Sequence, residues 1–286
     1  MMTSKTNEDM LLEGFVEQFP VIGPDPSPAD LDRFREFVYT WGSVLYRDLP
    51  WRNTRDPYGI WISEAMLQQT QVSRVLTRWT RFLGKFPTVD ALAMASVSDV
   101  VEEWQGLGYN RRALALKSAA DECSARLGGR LPTSYEGLIG LPGIGPATAA
   151  GILAFSQDEP GVYLETNVRA VHIASFFPDA QRVSDGQLRA IVARTCPEFG
   201  VRDWYYALLD VGVVAKKAFG NPSRKAAAYT RQSKFEGSQR QKRAELLRIV
   251  MANPGITTAG AAQMLCDFEV SRGRGDVSIE AVEALL

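Results

Sequence analysis

The chain has 286 residues, 45% hydrophobic and 23% charged, enough for one large or two moderate domains with proper cores. No stretch approaches the roughly 18 consecutive apolar residues of a membrane helix, and one histidine with three scattered cysteines argues against a His/Cys metal centre or a Ser-His-Asp triad. The formal net charge of −1 does not by itself point to nucleic acid.

Met1 to Met10 is polar and acidic, without the basic region and apolar core of a signal peptide. With the unpaired pattern of Cys123, Cys196 and Cys266, this makes the cytoplasm the expected compartment. Residues 1 to 28 read as a flexible leader, because Val21 to Pro28 is Pro-rich. Asp30 is expected to cap a helix through Leu31, Phe34, Phe37, Val38 and Trp41, which Leu49-Pro50-Trp51-Arg52 ends. From Pro57 the pattern predicts helix after helix: 58–69, 72–86, 88–94, 98–104, 111–127, 134–139 and 146–155. Ser98 reads as a simple cap, Gly128-Gly129 as a helix stop, and Pro146 as a first helical residue.

Val162 to Leu164 is the one β-like run. His172, inside Val-His-Ile, reads as a packed histidine. Helices over 188–194 and 204–219 follow. The expected fold is all-α, in two helical subdomains: one over about 57–158, the other from 29–56 and 159–222. Residues 223–286 read as a basic linker and a small C-terminal helical module. Gln241 to Met251, a turn at Asn253-Pro254-Gly255, Thr258 to Leu265 and Ile279 to Leu286 suit a helix-turn-helix, a winged helix or a plain helical cap.

Leu141-Pro142-Gly143-Ile144-Gly145 is the most informative segment. Two glycines allow a sharp turn and close approach, and the helix that follows offers free N–H groups and a positive dipole end to a phosphate. A tight helix–helix turn accounts for the same residues. The segment also resembles the hairpin of the helix-hairpin-helix DNA glycosylases. The resemblance continues through Trp51-Arg52, Asp56-Pro57-Tyr58, the run Ser63 to Val72, Phe86-Pro87-Thr88, the run Trp104 to Tyr109, the run Leu164 to Arg169, and Leu209-Asp210-Val211-Gly212. Covering about residues 30 to 215, it is similar to the MutY-type adenine glycosylases in particular.

Cleaving an N-glycosidic bond needs an acid at the departing base and an ionised carboxylate facing the positively charged sugar. The resemblance implies Glu64 as the acid and Glu165 as the carboxylate, the latter where the superfamily keeps an aspartate. Ala147 stands where strand-cleaving relatives have a Schiff-base lysine, implying a monofunctional enzyme without strong lyase activity. The substrate is expected to be double-stranded DNA with a mispaired or damaged base, which is flipped out before reaction. DNA contact is implied for Arg52, Gln68, Gln69 and Tyr109, and at the hairpin for Leu141, Gly143, Ile144, Gly145 and Thr148.

Three departures stand out. The stretch after Asp210-Val211-Gly212 has no cysteine, so no iron–sulfur cluster and no other metal is expected, save a monovalent cation at the hairpin. Lys216, Lys217, Arg224, Lys225 and Arg231 fill that region and read as a phosphate-binding surface. Asn110 follows Tyr109 where a second tyrosine is usual, and only 48 residues follow Ser238, too few for the family's larger C-terminal domain. The expected activity is therefore release of adenine by a monomer. Release of hypoxanthine, or of uracil or thymine opposite guanine, and non-catalytic DNA binding remain the alternatives.

Overall fold

The computed structural model describes residues 6–231, 234–275 and 278–283. The leader is not loose. Thr6 accepts the Asp9 N–H and Asp9 returns a bond to Thr6, a capping box that starts α1 (Asn7–Gln18). Phe15 of α1 is fully buried, its ring 5.4 Å from Phe37 and 5.2 Å from Trp41. Residues 1–5 lie outside the described residues.

The next helix, α2 (Pro28–Val44), starts inside the Pro-rich stretch. Ser27, not Asp30, is its cap; Asp30 closes the capping box three residues on, and Pro28 fits the first turn. A 3-10 turn at Pro50–Arg52 leads to α3 (Pro57–Leu67), α4 (Val72–Lys85), α5 (Val89–Met94) and α6 (Val97–Trp104). Here Ser96 is the cap, with Asp99 as its partner, so Ser98 lies inside the helix. Then come α7 (Arg111–Leu127), α8 (Tyr135–Ile139) and α9 (Pro146–Gln157).

Val162 to Leu164 forms no strand. It feeds α10 (Thr166–Phe176), a helix that the sequence reading missed, followed by α11 (Asp185–Thr195) and α12 (Val201–Ala218). The tail holds α13 (Gln239–Ala252), α14 (Thr258–Ser271) and α15 (Ile279–Glu283). Residues 284–286 of the last expected helix lie outside the described residues. The described residues contain only an isolated bridge, Val183 to Ala226, and no strand that could form a wing.

Helices α3 and α9, each buried on nearly every side, pack on one another at the centre. Helix α12 packs on both α2 and α10, approaching α2 so closely that a β-carbon on Gly42 would lie 2.3 Å from that of Ala207. One continuous apolar core joins Phe15 through Ala226, and the tail has its own small core of Leu246, Ile249, Ala261, Ala262, Leu265 and Val282.

Candidate active site

Asp56 caps α3 by accepting the N–H groups of Tyr58 and Gly59 at 3.2 and 3.0 Å. Glu64 is the one acid of this apolar helix and faces α9 at Gly151. A β-carbon on Gly151 would lie 2.7 Å from Oε2 of Glu64 and 2.8 Å from the ring of Tyr163. The missing side chain is thus the space in which these two groups meet. The Tyr163 hydroxyl donates to Oε2 of Glu64 at 3.0 Å. Burial pushes the Glu64 carboxyl up to about 8, against the pull of the tyrosine bond and with the charge of Glu165 adding to the rise. At neutral pH this residue is a carboxylic acid with a proton to give.

Glu165 is the N-cap of α10. Its Oε1 accepts the N–H groups of Asn167 and Val168 at 2.5 and 3.1 Å. Burial raises its pKa, while the N–H bonds and the charge of Lys216 oppose the rise. Two neighbouring carboxyls therefore have different partners: a phenol for one, a helix terminus and a lysine for the other.

The Asp-x-Gly segment of α12 fixes this helix terminus. A β-carbon on Gly212 would lie 2.5 Å from the Asn167 β-carbon and 2.6 Å from its carbonyl oxygen, so only glycine admits α10 so closely. Asp210 is buried in ion pairs with Arg47 at 2.5 Å and with both terminal nitrogens of Arg52 at 2.7 and 2.9 Å. Lys216, one turn beyond Gly212, is half-buried; burial lowers its pKa and Glu165 counters this.

Among the expected DNA contacts, the Arg52 side chain is taken up within the protein, and the hairpin residues shape a tight turn. Arg52 is 5% exposed, with its guanidinium spent on Asp210 and 4.5 Å over the Tyr206 ring, so it is a framework residue. The side chains of Leu141 and Ile144 are buried in the core, and the Ile144 N–H is bonded to the Leu141 carbonyl at 3.2 Å. Gly143 makes the turn at φ +76°, where a β-carbon would also strike Ala115 at 2.5 Å. Gly145 is the backbone cap of α9. Thr148 is buried and accepts the Gln68 side-chain amide at 3.2 Å.

The expected basic surface is also thinner. Lys216 faces Glu165, Lys217 pairs with Glu8 at 2.5 Å, and Lys225 donates to the Pro178 carbonyl at 2.6 Å. Arg224 and Arg231 are exposed.

Gln69 and Tyr109 are both exposed at left-handed φ, +55° and +51°, on two loops that meet. Arg112 bolts the loops together. Its Nη1 donates to the carbonyls of Ala65, Met66 and Gln68 at 2.7, 2.9 and 2.6 Å. Its Nη2 donates to the Thr70 hydroxyl and to the carbonyls of Leu107 and Gly108 at 3.0, 3.2 and 2.9 Å. Beside them a cleft of about 360 Å³ is lined by Trp61, Gln68, Arg111, Arg112, Pro142 and Gly143, among others. Tyr163, Gly151 and Arg112 were missed by the sequence reading. Tyr163 alone carried a signal, its adjacency to Leu164-Glu165.

His172 is buried, its ring nitrogens 2.8 Å from the Val168 carbonyl and 2.9 Å from the Thr195 hydroxyl; burial lowers its pKa to about 4, so it is a neutral framework residue. The three cysteines lie on separate elements, and none forms a disulfide among the described residues.

The sequence profile of the HhH-GPD superfamily base excision DNA repair proteins matches residues 62–200. An adenine DNA glycosylase of Mycobacterium tuberculosis is 32% identical over 291 residues, covering 91% of this chain and 88% of that protein. The mouse adenine DNA glycosylase is 36% identical over 177 residues, covering 59% of this chain and 34% of its own. The chain thus spans about a third of the mammalian relatives it matches, and 52% of one from Buchnera aphidicola. Among solved structures, a thermostable thymine-DNA glycosylase has a TM-score of 0.57 at 24% identity, over 64% of this chain and 85% of that one. A trapped endonuclease III–DNA covalent intermediate has a TM-score of 0.53 at 16% identity, over 66% and 85%. These two share the fold.

Proposed function

This chain belongs to the HhH-GPD superfamily of base excision DNA repair proteins, and we propose that it is a monofunctional DNA glycosylase. In this reading it acts as a monomer on double-stranded DNA, extrudes a mispaired or damaged base, adenine foremost, and hydrolyses its N-glycosidic bond. The observation that carries the reading is Glu64: a carboxyl raised to about 8 by burial, held by Tyr163, in the neighbourhood of a second carboxyl that burial also raises, against the N–H groups of α10 and the charge of Lys216.

Glu64 donates its proton to a ring nitrogen of the extruded purine, which leaves as the neutral base when the C1′–N bond breaks. Glu165 faces the positive sugar and stabilises it with its charge. Water adds to C1′ and loses a proton, leaving an abasic site. With Ala147 in place of an amine, the strand stays intact. The reading includes no iron–sulfur cluster, since the segment after Gly212 offers Val213 to Lys217 and no thiol. A monovalent cation at the hairpin is part of this reading: the Leu141 carbonyl, which accepts the Ile144 N–H, keeps a second lone pair for it. Bound there, it would attract a DNA phosphate.

The test is base release from duplexes holding adenine opposite 8-oxoguanine or guanine, hypoxanthine, or uracil or thymine opposite guanine, with alkali revealing abasic sites. Adenine release abolished by Glu64→Gln and Glu165→Gln supports the reading. Release of another base alone moves the substrate, and tight binding without release of any base overturns the enzyme.

A further inference from the structure

Helix α13 has two partnered faces. Lys242, Leu246 and Ile249 lie on one: Leu246 and Ile249 join the tail core, and Lys242 approaches Glu269 of α14 at 3.9 Å. Arg240 and Met251 lie on the opposite face, toward the main body, since positions eleven apart nearly coincide in angle on a helix. There the Arg240 guanidinium donates to the Tyr109 hydroxyl at 2.6 Å and stands 5.5 Å from its ring, and the Gln105 amide meets Met251 sulfur at 3.4 Å. The tail module is therefore seated on the loop of exposed, left-handed Tyr109. Arg112 holds the same ring from the main body, also at 5.5 Å.

Charge gathers at this seat. Between Arg231 and Arg248 there are six Lys or Arg and two acids, in a chain of net charge −1. Arg243 is three residues from Arg240 on the flank of α13. Lys234 adjoins Phe235, whose ring lies 6.0 Å from the Arg240 guanidinium. Both cations are exposed, with no ion-pair partner among the described residues. By contrast Lys217 and Lys225, expected at the phosphates, are engaged within the protein.

We infer that the tail module is a second DNA-binding element, docked through Arg240 on Tyr109, whose Lys234 and Arg243 contact the phosphate backbone of the duplex on the Tyr109 side of the extruded base. The inference rests on the glycosylase reading for which duplex is bound, and its own content is the phosphate contact. Arg240 is a positioning residue that seats the cationic edge.

The test measures affinity of the full chain for a labelled mismatched duplex across a salt series, with base release assayed in parallel. Lys234→Glu/Arg243→Glu is expected to weaken binding on the order of tenfold near 0.1 M salt and to flatten the log–log salt slope by about two. Arg240→Gln is expected to weaken binding while both edge cations remain. A control reversal on α2, Arg33→Glu, leaves the slope unchanged. Unchanged slope and affinity in the double variant overturn the inference, even where base is released. Slope loss without base release from any duplex keeps the module and overturns the glycosylase reading. No duplex binding by the native chain overturns both.

Discussion

The Tyr163 hydroxyl donates to Oε2 of Glu64 at 3.0 Å, joining the segment before α10 to the middle of α3. Three elements converge on that bond, because Gly151 of α9 leaves the room for it. Removing the donor has a definite sign. The bond lowers the Glu64 pKa from where burial alone would put it. Tyr163→Phe should therefore move the alkaline limb of the base-release profile to higher pH, read from single-turnover rates. A limb moved to lower pH would show that Tyr163 does not act on Glu64 in this way.

Gly151→Ala should damage the site without unfolding the chain. The new methyl would sit 2.7 Å from a Glu64 oxygen, which must then shift. A displacement near 1 Å at a reacting group costs about a hundredfold in rate. Base release should fall by that order while duplex affinity is retained; an unchanged rate would mean that Glu64 is free to relocate.

Glu64 also ties stability to pH. Its folded pKa, about 8, lies above the ordinary 4.5, so the unfolded chain loses the proton first as pH rises. The stability it contributes is whole below about 4.5 and is lost as pH rises through the folded value. Glu64→Gln abolishes this loss. The variant should gain on the native chain by on the order of 3 kcal/mol between pH 5 and 8, measured by urea unfolding at each pH. An equal pH dependence in both proteins would contradict the raised pKa.

Asp210→Ala strands Arg47 and Arg52 without their shared carboxylate. Removing one partner of a buried ion pair typically costs about 3–5 kcal/mol. Replacing both by apolar groups, Arg52→Met with Asp210→Leu, should recover much of that loss in thermal unfolding. If Arg52→Met instead leaves stability intact and weakens DNA binding, Arg52 is a DNA contact after all.

The motifs identify the two carboxyls because each lies in a run of characteristic neighbours, and the helical periods place most of the main body. What the sequence hides is partnership. Arg52 lies in a motif shared with DNA-binding relatives, yet its carboxylate partner is 158 residues away, which no local pattern reports. Arg112 looks like any first-turn cation until six acceptors from two loops converge on it. α10 was missed because its cap is a glutamate, an unusual cap type, and because its apolar face is wrapped on nearly all sides, leaving little amphipathic signal. The leader misled because Pro residues outweighed the threonine and serine caps at Thr6 and Ser27.

The most direct measurement is the pH dependence of single-turnover adenine release from a mispaired duplex, by the native chain and by Glu64→Gln. The expected alkaline limb is a rate that falls tenfold per pH unit above about 8, where Glu64 loses its proton. Glu64→Gln should have lost most of its activity at every pH. A native rate that rises through pH 8, or a glutamine variant with native rate, would contradict Glu64 as the acid.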